Sequence, residues 1–493
     1  MASMCRIGAV AIAVSIFLAS LGVAAGVAQA QSKLAFDCSD ARLVESFAWA
    51  RTQAMAYVRQ GDPVGLWYEA ALPGREAFCM RDVSHQALGA HALGLQKHTL
   101  NMLRKFAVNI SESKDWCTYW EINRHDKPAP VDYRNDKEFW YNLPANFDVL
   151  AACYRMYLWS HEDAYLNDPA FLRFYEHTVT DYLERWDLEL DKVLGRERFM
   201  NRESYNRRDS FQFCRGIPSY HEGSPGMTRV GVDQLAFQAA AYRSYGKLLK
   251  LRGETQRAQT FEDKARAISG FIEQHFWNEA NDRFNELLLT DGRYVTGGGM
   301  QTYLLYNNAL TSPDKIDRTL QSILRPPRIN IEIACHYPEI FFRYGVPDEA
   351  CRRLLQLSSP QTQRRSYPEV SFALVGAIVN GLMGIQPAEH EAAVVTRSRL
   401  PEAVSWAHIA HLPVQGRSID VRHSAKTETA LANRSDKPVT WIAQFEGKEG
   451  RLLTDGEPVP ANTTVDFLGR TLLQTRLTLE PGRKRTVQYT PAQ

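Results

Sequence analysis

From about residue 40 to residue 385, apolar residues recur every three to four positions, the period of helices that bury one face. Ala41 to Arg59 carries Leu43, Phe47, Ala48, Met55 and Val58 in this pattern, and Ser84 to Phe106 carries Leu88, Leu93, Leu95, Leu100 and Leu103. Val149 to Trp159, Phe171 to Trp186, Val232 to Leu251 and Thr255 to Trp277 continue it. The last two form the best-defined unit, two amphipathic helices joined by Arg252-Gly253-Glu254 into an αα-hairpin. Asp148 is placed to cap a helix that begins at Val149.

Near residue 390 the period shortens. Ala392 to Thr396, Ser418 to Arg422, Glu428 to Leu431, Val439 to Phe445, Thr463 to Phe467, Leu477 to Leu479 and Arg485 to Tyr489 are short β-type runs separated by Gly, Pro, Asn and Asp. The pattern predicts a mainly α protein over residues 31–388, followed by a small C-terminal β-sandwich over 389–493. Residues 1–30 stand apart. An apolar run from Ile7 to Val27 leads into Ala28-Gln29-Ala30, the small-residue cleavage pattern of a secretory signal peptide. The expected mature protein is soluble, with no membrane association after signal cleavage, and is secreted or periplasmic.

Composition narrows the function. The chain has 493 residues and a formal net charge of +2, with no concentrated basic face of the kind nucleic-acid binding needs. No nucleotide-loop, dinucleotide, calcium-loop or zinc spacing is present, so neither a cofactor nor a metal is expected. Seven cysteines remain after the leader, and a core of this size needs few bridges, so most should act as small apolar residues. The 10 Trp, 21 Tyr and 22 Phe suit the apolar faces of sugar rings as well as a core. Nothing in the pattern specifies an oligomeric state.

Three segments carry a family resemblance. Phe78-Cys79-Met80-Arg81-Asp82-Val83-Ser84 is similar to the aromatic-x-x-Arg-Asp start of an early helix in glucoamylase-like and rhamnosidase-like enzymes. Gly231-Val232-Asp233-Gln234-Leu235-Ala236, with Phe276-Trp277-Asn278 closing the hairpin, resembles a trehalase-like unit. Ser371 to Ile385, leading to Pro387 and Leu400-Pro401, resembles the last helix and exit strand of rhamnosidase-like members. Together they resemble the six-hairpin glycosidases. That resemblance implies an (α/α)6 toroid or barrel and an exported glycoside hydrolase on an oligosaccharide or polysaccharide, inverting through an acid and a base carboxylate. A polysaccharide lyase on the same barrel, acting on a uronate-containing glycan, and a catalytically silent glycan-binding protein stay open beside it.

The residues themselves rank the carboxylates. Glu222 comes first as general acid: it lies beside Tyr220 and His221 in a Gly- and Pro-bounded loop, where desolvation raises a carboxyl's pKa. Glu369 and Glu332 are the contenders for base, with Glu369 narrowly preferred. Glu332 interrupts the apolar run Ile331, Ile333, Ala334, where a charge needs a reason. Arg81 and Asp82 can bracket a sugar hydroxyl with a donor and an acceptor, and His85 flanks the same segment. The structural alternatives are a helix cap for Asp82 and arginine-bound carboxylates for Glu369 and Glu332.

Two aromatic loop clusters are expected to supply a binding platform. One contains Trp120, Glu121 and Arg124, the other Trp140 and Tyr141. Arg124, Arg207, Arg208 and Arg215 could pair with a uronate carboxylate. In a lyase, Tyr220, His221 or His336 would abstract the proton α to that carboxylate.

Overall fold

The computed structural model describes residues 32–197, 213–222, 227–325, 329–389 and 391–492. The expected leader, Arg207, Arg208 and Gly223 to Pro225 lie outside these residues.

Twelve main helices lie between residues 41 and 376 among the described residues: α1 (Ala41–Ala56), α2 (Met80–Ala92), α3 (Gln96–Val108), α4 (Pro144–Ser160), α5 (Pro169–Val179), α6 (Val232–Leu251), α7 (Thr255–His275), α8 (Thr302–Tyr306), α9 (Pro313–Leu324), α10 (Tyr337–Arg343), α11 (Pro347–Ser358) and α12 (Pro368–Gly376). Proline opens five of them, at Pro144, Pro169, Pro313, Pro347 and Pro368, where its fixed φ fits the first turn and its missing N–H costs nothing.

Burial sorts these helices into two classes. Every residue of α2 is buried, and α6, α8 and α12 are buried almost all round. By contrast α7 buries only Ala258, Phe261, Ala265, Ile268, Ser269 and Ile272, a single stripe. The enclosed helices pack in sequence: α2 on α4, α4 on α6, α6 on α8, α8 on α10, α10 on α12, and α12 back on α2. The amphipathic helices lie against them, α1 on α12, α3 on α2, α7 on α6, α9 on α8 and α11 on α10. Backbone approach is closest between α2 and α12, where a Cβ on Gly89 would stand 2.0 Å from the Phe372 carbonyl oxygen.

After α12 the chain continues as a π-helix, Ala377–Leu382, before the short strand Ile385–Pro387, so the expected last helix is irregular in its second half. Arg399 donates to the carbonyls of Asn380 and Gly381 at 2.5 and 3.1 Å, satisfying groups that the wider winding frees.

The β domain has two sheets. The larger orders its seven strands as Ala35–Cys38, Trp406–Val414, Arg417–Ser424, Glu428–Asn433, Lys484–Pro491, Gly450–Thr454 and Glu457–Val459. The smaller has five strands, with Ala393–Thr396 parallel to Val439–Glu446 and the other neighbours antiparallel. One strand comes from outside the expected boundary: Ala35–Cys38 precedes α1 yet pairs with Trp406–Val414. The domains are also tied by His423 Nε2, 2.9 Å from the Met383 carbonyl, and His91 Nε2, 3.1 Å from that of Pro413.

All seven described cysteines are buried, and no disulfide forms among the described residues. Among the described residues no helix is long and apolar enough to cross a membrane.

Candidate functional site

Each enclosed helix brings a polar side chain to its N-terminal end. Asp82 and His85 lie in the first turns of α2, Asp148 in α4, Asp233 at the second position of α6, Tyr303 in α8, His336 directly before α10, and Glu369 at the second position of α12. The positive end of a helix dipole favours anions, so these ends suit a group of carboxylates.

His85 joins three of the helices. Its Nδ1 lies 2.7 Å from Glu369 Oε1 and its Nε2 2.9 Å from Asp148 Oδ2. Burial alone would push the imidazole pKa down, but these two carboxylates outweigh it and hold the value well above the usual range. His85 is therefore an imidazolium that donates to Glu369 through Nδ1 and faces the Asp148 carboxylate across Nε2 as an ion pair rather than a formed hydrogen bond. Glu369 also meets His336 Nε2 at 3.0 Å. Its burial would raise its pKa, yet the two imidazoles hold it far below the carboxylate range. His336 is pushed down by burial and by the neighbouring His85 charge, so it is neutral. Phe237 stacks on the His85 ring at 6.1 Å, and Tyr303 lies 6.0 Å from it. The charges thus sit in an aromatic shell that excludes water and strengthens their attraction.

Beside this triad, Arg81 spans two carboxylates, Asp82 at 3.2 Å and Glu332 at 2.8 Å. Glu332 stands on a short helical turn, Ile331–Ala334, capped by Asn330, and also pairs with Arg364. Its side chain keeps 14% exposure, whereas that of Glu369 has none. Asp82 accepts from the Tyr367 hydroxyl and is pushed up to about 7, chiefly by burial. Asp82 is no helix cap, since its carboxylate faces Arg81 and Tyr367. Asp233 accepts from Tyr220 N at 2.6 Å and Ser219 Oγ at 2.9 Å, and burial pushes it up to about 7. Those bonds shape the Tyr220 to Glu222 loop, where the Tyr220 hydroxyl reaches Asp148 Oδ2 at 3.2 Å.

A second carboxyl group lies at the other side of that loop. Glu121 and Asp132 share Arg75 Nη1, at 2.6 and 3.3 Å. Burial and the Asp132 charge push Glu121 up to about 8, and the half-buried Glu222 is close enough for its charge to raise Asp132. Glu121 and Asp132, two buried carboxyls on one arginine, keep a shared proton near neutral pH.

The expected platform divides. Trp120 reaches the site, with its ring 6.5 Å from that of Tyr220, and His221 is half-buried beside the Gly298 backbone. Trp140 and Tyr141 are core residues instead: Trp140 Nε1 donates to Asn142 at 2.7 Å, and the fully buried Tyr141 donates to Asn146. Arg124 is held at the surface by Asp62 at 2.7 Å and Glu76 at 2.6 Å, outside the cluster. Arg215 is paired with Asp115. The arginines that do face the site are Arg81, Arg75 and Arg364.

The sequence reading missed Asp148, Tyr303, Tyr367 and Arg364. Asp148 was taken as a cap, but its helix starts four residues earlier at Pro144, which moves it inside and buries it. The signal was Leu143-Pro144, a helix start in its own right.

His85, His336 and Glu369 have ligand atoms within 4.8 Å of one another, the reach of a metal-binding trio. Both imidazoles, however, converge on the same carboxylate oxygen at hydrogen-bond distances, and His85 has a carboxylate at each nitrogen. An imidazolium at His85 would compete with a metal ion for these same carboxylate oxygens.

No protein-family model and no curated protein matches the chain. Solved structures do. A GH78 family rhamnosidase of Bacillus sp. GL1 matches with a TM-score of 0.57 and 14% identity over 81% of this chain and 40% of that one. The α-L-rhamnosidase of Dictyoglumus thermophilum matches with a TM-score of 0.58 and 10% identity over 93% and 51%. That of Streptomyces avermitilis, complexed with L-rhamnose, matches with a TM-score of 0.57 and 13% identity over 93% and 42%. The chain thus spans about half or less of the length of these proteins, and what it shares with them is a fold.

Proposed function

We propose that the protein is an exported glycoside hydrolase cleaving an oligosaccharide or polysaccharide, on an (α/α)6 toroid of six inner and six outer helices. The observation that carries this reading is the meeting of polar side chains at the N-terminal ends of the enclosed helices, bound together through His85. That arrangement makes a dry, charged floor, with the more accessible carboxylates Glu332 and Glu222 beside it. The fold shared with rhamnosidases supports it as well.

Glycoside cleavage needs one protonated carboxyl at the leaving oxygen and one carboxylate for the water. Glu222 supplies the proton, drawing on the charge repulsion it shares with Asp132 and Glu121. Glu332 accepts the proton of the attacking water, which comes from the opposite side and inverts the anomeric centre. Arg81 donates to a sugar hydroxyl and Asp82 accepts from one. Glu332 is preferred here to Glu369 for its exposure alone, since both Glu332 oxygens are held by arginines, Oε2 by Arg81 and Oε1 by Arg364, while Glu369 is fully enclosed with His85 and His336 at its Oε1; Glu369 is a positioning residue. Tyr220 suits a lyase poorly, since burial pushes its hydroxyl well above the usual phenol range and Asp148 already accepts from it.

Incubation with a panel of neutral and acidic glycans tests the reading. New reducing ends without an ultraviolet-absorbing unsaturated product support it. An unsaturated product, or binding without turnover across the panel, overturns it. Export is tested by sequencing the secreted protein's N-terminus, expected at Gln31.

A further inference from the structure

The seven-stranded sheet carries a polar pocket on its open face, built by strand register. His408 pairs with Arg422 and Arg422 with Ala430 across one row; Asp420 pairs with Ala432 and Ala432 with Lys484 across the next. Direct partners share a face, and residues two apart along a strand share it too. Trp406 and Arg434 therefore join the same face. Two alanines between longer side chains leave a depression of about 240 Å³, floored by Ala430 and Ala432.

Three cations, Arg422, Arg434 and Lys484, surround that floor, with Asp420 among them and Asp37 opposite His408 at the far side. Arg434 is paired with Asp420 at 2.6 Å, and Asp420 also accepts from the His411 backbone at 2.9 Å. Arg422 and Lys484 are exposed, and neither has a carboxylate partner among the described residues. The Arg422 guanidinium is held over the Trp406 ring at 4.4 Å, which fixes its direction without neutralising it. Burial favours the neutral form of His408, with Arg422 and Lys484 adding to that effect and Asp420 and Asp37 opposing it. A neutral imidazole can donate to one hydroxyl or accept from another.

We propose that this pocket is an accessory binding site for an acidic glycan, taking a sugar carboxylate between Arg422 and Lys484 and a ring hydroxyl at His408. The choice of a glycan rests on the hydrolase reading above; the choice of an anion rests on the two unpaired cations. A depression of this size takes a single sugar ring. The site would hold the polymer while the helical domain cleaves it, raising the local substrate concentration without taking part in the chemistry.

Affinity electrophoresis of the full chain through polygalacturonate, against the same polymer with its carboxyls reduced to alcohols, tests the proposal. The protein should be retarded by the acidic polymer, at least tenfold less by the reduced one, and less as salt is raised. Arg422→Gln with Lys484→Gln should lose retardation tenfold or more at an unchanged melting temperature. Glu332→Gln should keep it, which separates this site from the hydrolytic one. Equal retardation by the reduced polymer, or by a DNA matrix, overturns the ligand class. Full retardation of the double variant, or its loss in Glu332→Gln alone, overturns the location. Absence of hydrolysis would leave a positive binding result standing as a property of the β domain.

Discussion

His85 Nδ1 and Glu369 Oε1 lie 2.7 Å apart, with neither side chain exposed to solvent, although 284 residues separate them in the chain. The contact joins the second helix of the domain to the last, and Asp148 on His85 Nε2 adds a third. Removing the imidazolium would leave two buried carboxylates facing each other. His85→Asn is therefore expected to cost about 3–5 kcal/mol of stability in denaturant unfolding. A cost near zero would show that the pair is dispensable.

Glu369 links that contact to pH. Its pKa in the folded protein lies far below its ordinary value of 4.5, so the carboxylate stabilises the fold fully above about pH 4.5 and loses that contribution as the pH falls. Wild-type melting temperature should drop steeply on the acid side, and Glu369→Gln should flatten that limb while lowering stability at neutral pH. Parallel acid limbs would contradict the assignment.

Glu121 runs the other way. Burial and Asp132 raise it from 4.5 to about 8, so the folded state keeps a proton that the unfolded chain releases. Its stabilising contribution is complete below about pH 4.5 and disappears as the pH rises through 8. Glu121→Gln, which mimics the protonated form, should flatten the stability profile between those values. An unchanged slope would show that Glu121 titrates as in the unfolded chain.

Gly89 tests the packing of α2 on α12. A Cβ there would stand 2.0 Å from the Phe372 carbonyl oxygen, which is backbone and cannot swing away. Gly89→Ala should destabilise by about 1–3 kcal/mol or more, despite alanine's better helix propensity. A gain in stability would mean that the two helices separate freely.

The local pattern made much of the fold legible. The hairpin expected at Val232 to Leu251 and Thr255 to Trp277 forms as Val232–Leu251 and Thr255–His275: the second helix buries one apolar stripe against a first helix enclosed almost all round, and Gly253 turns the chain at positive φ. What failed was non-local. Ala35–Cys38 is too short to announce a strand, and its partner lies some 370 residues away. Asp148 looked like a cap because a carboxylate before an apolar run usually is one; the preceding proline had already started the helix. Several residues of the cluster, among them Asp82, His85, Glu332 and Glu369, are singled out by the sequence, but their roles depend on distances. Only the fold shows that Glu369 is enclosed by two imidazoles, that Glu332 remains accessible, and that Tyr141 and Trp140 spend their polar atoms within the core.

The most direct test of the central claim, that Glu222 and Glu332 cleave a glycosidic bond as acid and base, compares leaving groups. Once a hydrolysed glycan is found, Glu222→Gln and Glu332→Gln should be assayed on it and on the aryl glycoside of the same sugar. An aryl oxide leaves without protonation, so Glu222→Gln should lose roughly 10²–10⁴-fold on the glycan and far less on the aryl glycoside. Glu332→Gln should lose that factor on both. Equal losses for Glu222→Gln on the two substrates, or full activity of either variant on the glycan, would contradict the assignment.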